Sequence, residues 1–215
     1  LGMKLPKRIG FGRITERYKS DNRYNGMSIY NVYFVRPYIE GVASDKIPPA
    51  KFGNPVFAYE FARLIGSAAA LDLVVGRMST VTGELLFDNN NEIVRLDEKG
   101  MPSEVVITDH AGSFSDYTTP LVDRVKLYAD VMRRRKNVVA DYDLFVSQYI
   151  GALEKELLRI QAAYNVRRNA FDSLFSDRPF DTNGSSSYRW AQALLRLSET
   201  DAAEVAKSLR EAIYA

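Results

Sequence analysis

The residues best suited to chemistry are an aspartate and a histidine that follow a strongly hydrophobic segment. The run Val105-Val106-Ile107 is typical of a strand buried on both faces, and Asp109-His110-Ala111-Gly112 follows it almost at once. A carboxylate at the carboxyl end of a core strand is well placed to hold a hard cation such as Mg²⁺, which binds a few carboxylate oxygens and keeps several waters. In the alternative interpretation, Asp109 caps the turn through its own backbone and His110 is a partly buried, hydrogen-bonded side chain.

Composition excludes several other kinds of site. The 215 residues contain no cysteine and one histidine, so disulfides, thiol chemistry and Cys- or His-based zinc sites are not expected. We therefore expect neither zinc nor haem. No Ser-His-Asp arrangement is indicated. The net charge of +2 provides no overall attraction to nucleic acid or anionic lipid, so binding of either would have to be local.

A second chemically suggestive stretch lies upstream, at residues 71–87 (LDLVVGRMSTVTGELLF), which is typical of a helix end, a polar loop and a strand. Together with DHAGSF (residues 109–114), this order resembles the catalytic half of atypical kinases, the group spanning HipA-like, phosphoinositide-kinase-like and secreted Golgi-type kinases. That group commonly shows D-x-x-x-G-N-x-D-R-H-x-x-N, a strand, and later a metal-binding Asp. Asp72, Gly76 and Asp109 occupy the corresponding positions.

The chain departs from that pattern inside the loop. Arg77 replaces the usual Asn, Ser79 stands at the position of the catalytic Asp, Val81 at that of the His, and Glu84 at that of the metal-binding Asn. Serine cannot serve as the base near neutral pH, whereas a glutamate can still coordinate a cation.

The resemblance therefore implies a kinase-like, pseudokinase-type domain that binds ATP and Mg²⁺ through Asp109 and Glu84. In this interpretation the same two carboxylates carry whatever catalysis remains, and any enzymatic activity is phosphotransferase-like, with phosphoryl transfer altered or absent. The remaining expected contacts to the nucleotide are Arg77, Ser79 and His110.

Two alternatives remain open at this stage. The first is a non-catalytic interaction domain of a secreted effector or phage protein, which binds a protein partner through its helical half. The second is nucleic-acid binding through the basic run Arg133-Arg134-Arg135-Lys136. Basic residues at a helix end are also favoured by the helix dipole without any ligand, so nucleic acid is not the expected partner. The expected partners are an unidentified protein and a nucleotide.

Periodicity predicts the elements that would position these residues. A helix should begin at Asn54-Pro55, an N-cap followed by proline, and end near Gly76. The predicted strands are 27–36, 84–87, 92–96 and 104–108, and the later predicted helices are about 120–135, 138–164, 187–197 and 201–214. The predicted fold class is α+β, a small antiparallel meander packed on a mostly helical domain, similar to a kinase large lobe.

The expected organisation is an N-terminal arm or edge hairpin at residues 1–26, followed by one α+β domain at 27–215 whose helical half begins at about residue 120. No segment approaches the roughly 20 apolar residues of a membrane-spanning helix. The expected location is the cytoplasm, or a host cytoplasm after secretion. The start Leu1-Gly2-Met3-Lys4 is neither a usual initiator nor a signal peptide and suggests an excised fragment.

Overall fold

The computed structural model describes residues 10–13, 32–35, 40–77, 85, 87–88, 91–108, 116–176 and 186–215. Internal contacts divide the chain into two compact units, residues 1–40 and 41–215. In the first unit, β1 (Gly10–Arg13) pairs antiparallel with β2 (Val32–Val35), which lies within the strand predicted at 27–36. The second unit contains all of the remaining elements.

The sheet of the second unit has three antiparallel strands in the order β3 (Val42–Ala43), β4 (Glu92–Leu96) and β5 (Pro102–Ile107). The turn between β4 and β5 forms because the Asp97 carboxylate accepts hydrogen bonds from the amides of Lys99 and Met101, and Gly100 adopts a left-handed φ of 72°. The predicted β4–β5 hairpin is confirmed. Residues 84 and 86 lie outside the described chain, so the strand at 84–87 stays a prediction, and Val42–Ala43 pairs with the other edge of β4.

The central helix α1 (Pro55–Val75) has the termini that the sequence predicts. The Asn54 side chain accepts hydrogen bonds from the amides of Val56 (3.0 Å) and Phe57 (3.3 Å), and the left-handed Gly76 ends the helix at φ 67°. Phe57, Phe61, Ile65 and Leu73 form part of its buried face.

The helical half contains α2 (Leu121–Arg124), a 3₁₀ turn (Val125–Tyr128), α3 (Ala129–Arg133), α4 (Tyr142–Ser176), α5 (Ser186–Ser198) and α6 (Ala202–Tyr214). The continuous helix predicted at 120–135 is therefore three short pieces. No helix among the described residues is long and apolar enough to cross a membrane. The α+β class, a small antiparallel sheet with a mostly helical domain, is confirmed, whereas the likeness to a kinase large lobe stays a prediction.

Helices α1 and α4 form the main packing interface, and β5 also contacts α1. Helices α1 and α4 lie close together at Gly66 of α1, where an added Cβ would lie 2.3 Å from the carbonyl oxygen of Tyr149 on α4. The aromatic ring of Phe52 then closes one end of the interface, with edge-to-face contacts to Phe61 at 5.1 Å and Phe145 at 6.4 Å between ring centroids. This interface holds the C-terminal end of α1, where the candidate site begins.

Candidate functional site

Of the site residues predicted from sequence, Arg77 lies in the described chain, whereas Ser79, Glu84, Asp109 and His110 lie outside it. Coordination of Mg²⁺ by Asp109 and Glu84 therefore stays a prediction. Within the described ranges, no group of three or more His, Asp or Glu side chains could hold a metal ion.

The guanidinium of Arg77 lies in the protein interior, with 1% of the residue exposed. Its Nε donates to Oδ1 of Asp72 at 2.6 Å, and its Nη2 donates to Oε1 of Glu92 on β4. Asp72 is 2% exposed and Glu92 is 0% exposed, so one buried cation joins two buried carboxylates. The sequence analysis predicted Arg77 as a nucleotide contact, and that role stays a prediction. What the structure describes is its hydrogen bonding to Asp72 and Glu92 in the interior.

Tyr128 completes the cluster, because its hydroxyl donates to the second oxygen of Asp72 at 2.6 Å. Burial and the Asp72 charge raise the pKa of Tyr128 well above 10.0, so the phenol remains a donor at neutral pH. Burial acts to lower the pKa of Arg77, but the Asp72 and Glu92 carboxylates outweigh it and raise that pKa above its ordinary value. The cluster therefore ties the end of α1 to β4 and to the 3₁₀ turn by charged hydrogen bonds.

The end of α1 is also bonded directly to the segment that begins at Asp116. The Asp116 amide donates to the carbonyl oxygen of Gly76 at 3.1 Å. A Cβ on Gly76 would lie 2.0 Å from the carbonyl oxygen of Asp116, so only glycine permits this approach. We call this contact, between residues 76–77 and 116–119, the Gly76–Asp116 junction.

Two arginines from the helical half stabilise the junction. Arg124, which is 1% exposed, donates to Oδ2 of Asp116 at 2.5 Å and to the carbonyl oxygen of Arg77 at 3.1 Å. Arg196 on α5 donates to the carbonyl oxygens of Thr119 at 2.7 Å and Val74 at 3.1 Å. The junction is thus held from two directions by side chains distant in sequence.

The charged groups at this end of α1 are equal in number. Three are positive and three are negative, namely Arg77, Arg124 and Arg196 against Asp72, Glu92 and Asp116. The first two arginines, Asp72 and Glu92 are buried, whereas Arg196 and Asp116 are partly buried. Because unpaired buried charges are strongly destabilising, such neutrality is what a stable interior requires. Burial lowers the pKa of Arg196 to about 10, which still leaves it protonated at neutral pH.

The junction has a direct bearing on the predicted site. Arg77 is the described residue before 78–84, which contains Ser79 and Glu84, and Asp116 is the described residue after 109–115, which contains Asp109 and His110. The backbone hydrogen bond between Gly76 and Asp116 therefore joins described residues that lie beside these two segments in the sequence.

The basic run at 133–136 does not present four cations to solvent. Arg135 is 7% exposed, and its two Nη atoms each donate to Asp88 at 2.8 Å. Its guanidinium lies 4.8 Å from the ring centroid of Phe61, on the core side of α3. Arg134 also pairs with Asp88, at 3.0 Å, so two members of the run share one carboxylate.

A shallow groove of about 390 Å³ lies beside this run. Its lining residues are Leu85, Phe87, Leu127, Asp130, Val131, Arg133 and Arg134. Both arginines are about half exposed, and each pairs with a carboxylate, Arg133 with Asp130 at 3.0 Å and Arg134 with Asp88 at 3.0 Å.

No protein-family model matches the chain, and comparison with curated proteins and with solved structures found no significant match. The chemistry must therefore be argued from the residues themselves. Sequence reasoning identified Gly76 and Arg77 but missed Arg124, Asp116 and Arg196. The partners of these residues lie up to 123 positions away, so no local pattern indicated them.

Proposed function

We propose that residues 41–215 form a kinase-like, pseudokinase-type domain that binds a nucleotide with Mg²⁺ through Asp109 and Glu84. The observation that supports the proposal is the Gly76–Asp116 junction, because it brings together described residues that flank, in the sequence, the segments containing these carboxylates. The element order also supports it. Helix α1, the 78–84 segment, the β4–β5 hairpin, the 109–115 segment and the later helices follow the order expected for the large lobe of an atypical kinase.

The proposed chemistry is binding with altered or absent turnover. Asp109 and Glu84 would hold Mg²⁺ through their carboxylate oxygens, and the ion would offset the negative charge of the ATP phosphates. Ser79 cannot accept the proton of a substrate hydroxyl near neutral pH, so we expect little or no phosphoryl transfer. Ser79 and His110 are proposed as nucleotide contacts. Arg77 is also proposed as a nucleotide contact, although its guanidinium forms hydrogen bonds with Asp72 and Glu92.

The test compares the melting temperature of the wild type and Asp109→Ala with and without millimolar ATP and Mg²⁺. We expect a rise in the wild type and no rise in Asp109→Ala, because a ligand at 100 times its Kd stabilises the folded state by about 2.7 kcal/mol. Glu84→Gln should lower the shift. Asp123→Ala is the matched control, since Asp123 is exposed and pairs only with Lys126 among the described residues.

An unchanged melting temperature in the wild type would reject nucleotide binding and leave the protein-interaction domain as the alternative. An equal rise in wild type and Asp109→Ala would reject the assigned metal ligand. Nucleic-acid binding through 133–136 gains no support from the geometry, because Arg135 points into the core. The nucleic-acid alternative makes a prediction of its own, namely that the affinity for nucleic acid falls steeply between low and physiological salt.

A further inference from the structure

The groove beside α3 has apolar side chains at its base and on one side. Phe87 and Val131 are 3% and 1% exposed, so they lie deepest among its lining residues, whereas Leu127 is 46% exposed. Leu127 faces outward because a 3₁₀ turn has three residues per turn, which places the buried Val125 and Tyr128 together on the core side. An exposed leucine therefore borders a concave surface whose base is also apolar.

The rim of the groove has an excess of positive charge. Its two arginines, Arg133 and Arg134, have side chains that are 44% and 54% exposed. The four basic residues at 133–136 pair with two carboxylates, those of Asp88 and Asp130, so four positive and two negative groups give a net charge of +2. This charge favours a ligand with carboxylates.

Arg134 is the rim cation best placed to accept an outside partner. Its Nε donates to the carbonyl oxygen of Asp130 at 3.3 Å, and its Nη2 lies 3.0 Å from Oδ2 of Asp88. Within the described ranges, no hydrogen bond or ion pair uses its Nη1. A guanidinium forms its strongest hydrogen bonds with carboxylates, so this half-exposed donor fits an acidic side chain.

We propose that the groove beside α3 binds an acidic peptide segment of another protein, with a large apolar side chain against Leu127 and a carboxylate on Arg134. The groove volume of about 390 Å³ is near the lower end of the roughly 300 to 1,000 Å³ of ligand sites, which suits one or two anchoring side chains. An apolar centre with a polar rim is the usual anatomy of a protein interface. The inference goes beyond the proposed nucleotide site, because it uses neither Asp109 nor Glu84.

A peptide fits this groove better than nucleic acid does. Phosphates would contact the cations alone, and Leu127 would add nothing to that contact. Arg135 is turned into the core, and the carboxylate of Asp130, which is 73% exposed, lies on the rim and repels phosphates. The apolar base is used only by a ligand that has an apolar side chain of its own.

The experiment begins with a phage-displayed library of random peptides, selected on the wild-type protein at physiological salt. We expect the enriched peptides to combine Leu, Ile, Met or Phe with Asp or Glu within about four positions, as helical or extended recognition segments do. A synthetic peptide of the enriched sequence is then titrated by fluorescence polarisation. Enrichment of basic peptides, or of no sequence, would overturn the proposal.

Three variants test the two halves of the groove separately. Leu127→Gln should weaken peptide binding at least about tenfold, because the apolar anchor loses its contact. Arg134→Met should weaken binding about three- to tenfold, and Asp130→Asn should strengthen it about threefold, because the two changes alter the rim charge in opposite directions. The matched controls are exposed to a similar degree and do not line the groove, namely Leu158→Gln, Arg159→Met and Asp123→Asn.

Folding of each variant is checked by circular dichroism. Arg134→Met should fold, because Arg135 still pairs with Asp88. If Leu127→Gln does not fold, the opposite shifts of Arg134→Met and Asp130→Asn decide. Unchanged peptide affinity in the groove variants, or equal changes in their controls, would overturn the proposal.

Two further outcomes separate this inference from the other functions. Binding of a single-stranded oligothymidine that weakens in Arg134→Met but not in Leu127→Gln, without any selected peptide, would assign the surface to nucleic acid and overturn the proposal. Peptide binding in Asp109→Ala should equal that of the wild type. Failure of ATP binding therefore leaves the peptide result intact, and failure of peptide selection leaves the ATP result intact.

Discussion

Replacement of Arg77 by methionine should test the buried charge cluster most directly. The substitution keeps an unbranched side chain but removes the cation that joins Asp72 and Glu92. Both carboxylates are at most 2% exposed, so water cannot take the place of the guanidinium without opening the core. Tyr128 would still donate to Asp72, but a neutral hydroxyl does not compensate a charge.

Loss of one partner from a buried ion pair costs about 3 to 5 kcal/mol, mainly because a charge is left unpaired. That is a large part of the roughly 5 to 15 kcal/mol by which a typical domain is stable. For a chain of this size, each kcal/mol lowers the melting temperature by about 2 to 4 °C, so we expect a fall of about 6 to 20 °C.

The assay is urea unfolding followed by circular dichroism, with two comparison variants. Arg63→Met breaks an exposed pair with Glu60 and should cost less than about 1 kcal/mol. Adding Asp72→Asn and Glu92→Gln to Arg77→Met removes both buried carboxylate charges and should recover most of the lost stability. A cost for Arg77→Met equal to that for Arg63→Met, or no recovery in the triple variant, would refute the account of a charge-balanced interior.

Two further predictions concern the other ion pairs. Arg135→Met should lower the free energy of unfolding in urea by more than about 1 kcal/mol, because Asp88 is buried. The loss should stay below the roughly 3 to 5 kcal/mol of a fully unpaired buried charge, since Arg134 still pairs with Asp88. Arg133→Met, at an exposed pair, should change the same free energy by less than about 1 kcal/mol, and equal effects would contradict the inward position of Arg135. Burial acts to raise the pKa of Asp116, but hydrogen bonds from Thr119 and Arg124 outweigh it and hold that pKa below 3.8. The unfolded state then binds the proton more readily, so the advantage of wild type over Asp116→Asn should be complete above about pH 5 and fall as pH drops below about 4. A pH-independent difference in urea midpoints would contradict this assignment.

Charge type and sequence position were a poor guide to where the arginines lie. Arg135 belongs to a run of four basic residues, which the sequence suggests is exposed, yet it packs on Phe61 and pairs with Asp88. Its neighbours Arg134 and Lys136 remain exposed. The turn after α3 sets which member of the run faces the core, and a consecutive run of identical charges contains no information on that choice.

The sheet also has one feature that the sequence predicts and one that it does not. The β4–β5 hairpin is readable because Asp97 and Gly100 specify a turn between two hydrophobic runs. The pairing of Val42–Ala43 with β4 cannot be predicted from the sequence, because a two-residue strand has no periodicity and its partner lies about 50 positions away. That distant pairing depends on the packing of the whole unit.

In the candidate site, too, the sequence determined some features and the tertiary structure decided the others. The sequence by itself determined α1 and its ends, since Asn54, Pro55 and Gly76 act on backbone groups within a few residues, and it identified Asp109 and Glu84 as candidate ligands. Only the tertiary structure decided that Arg77 turns inward and that Arg124 and Arg196 hold the Gly76–Asp116 junction. The physical reason is that caps and turns are local, whereas a buried charge takes its partners from whatever elements the core brings beside it.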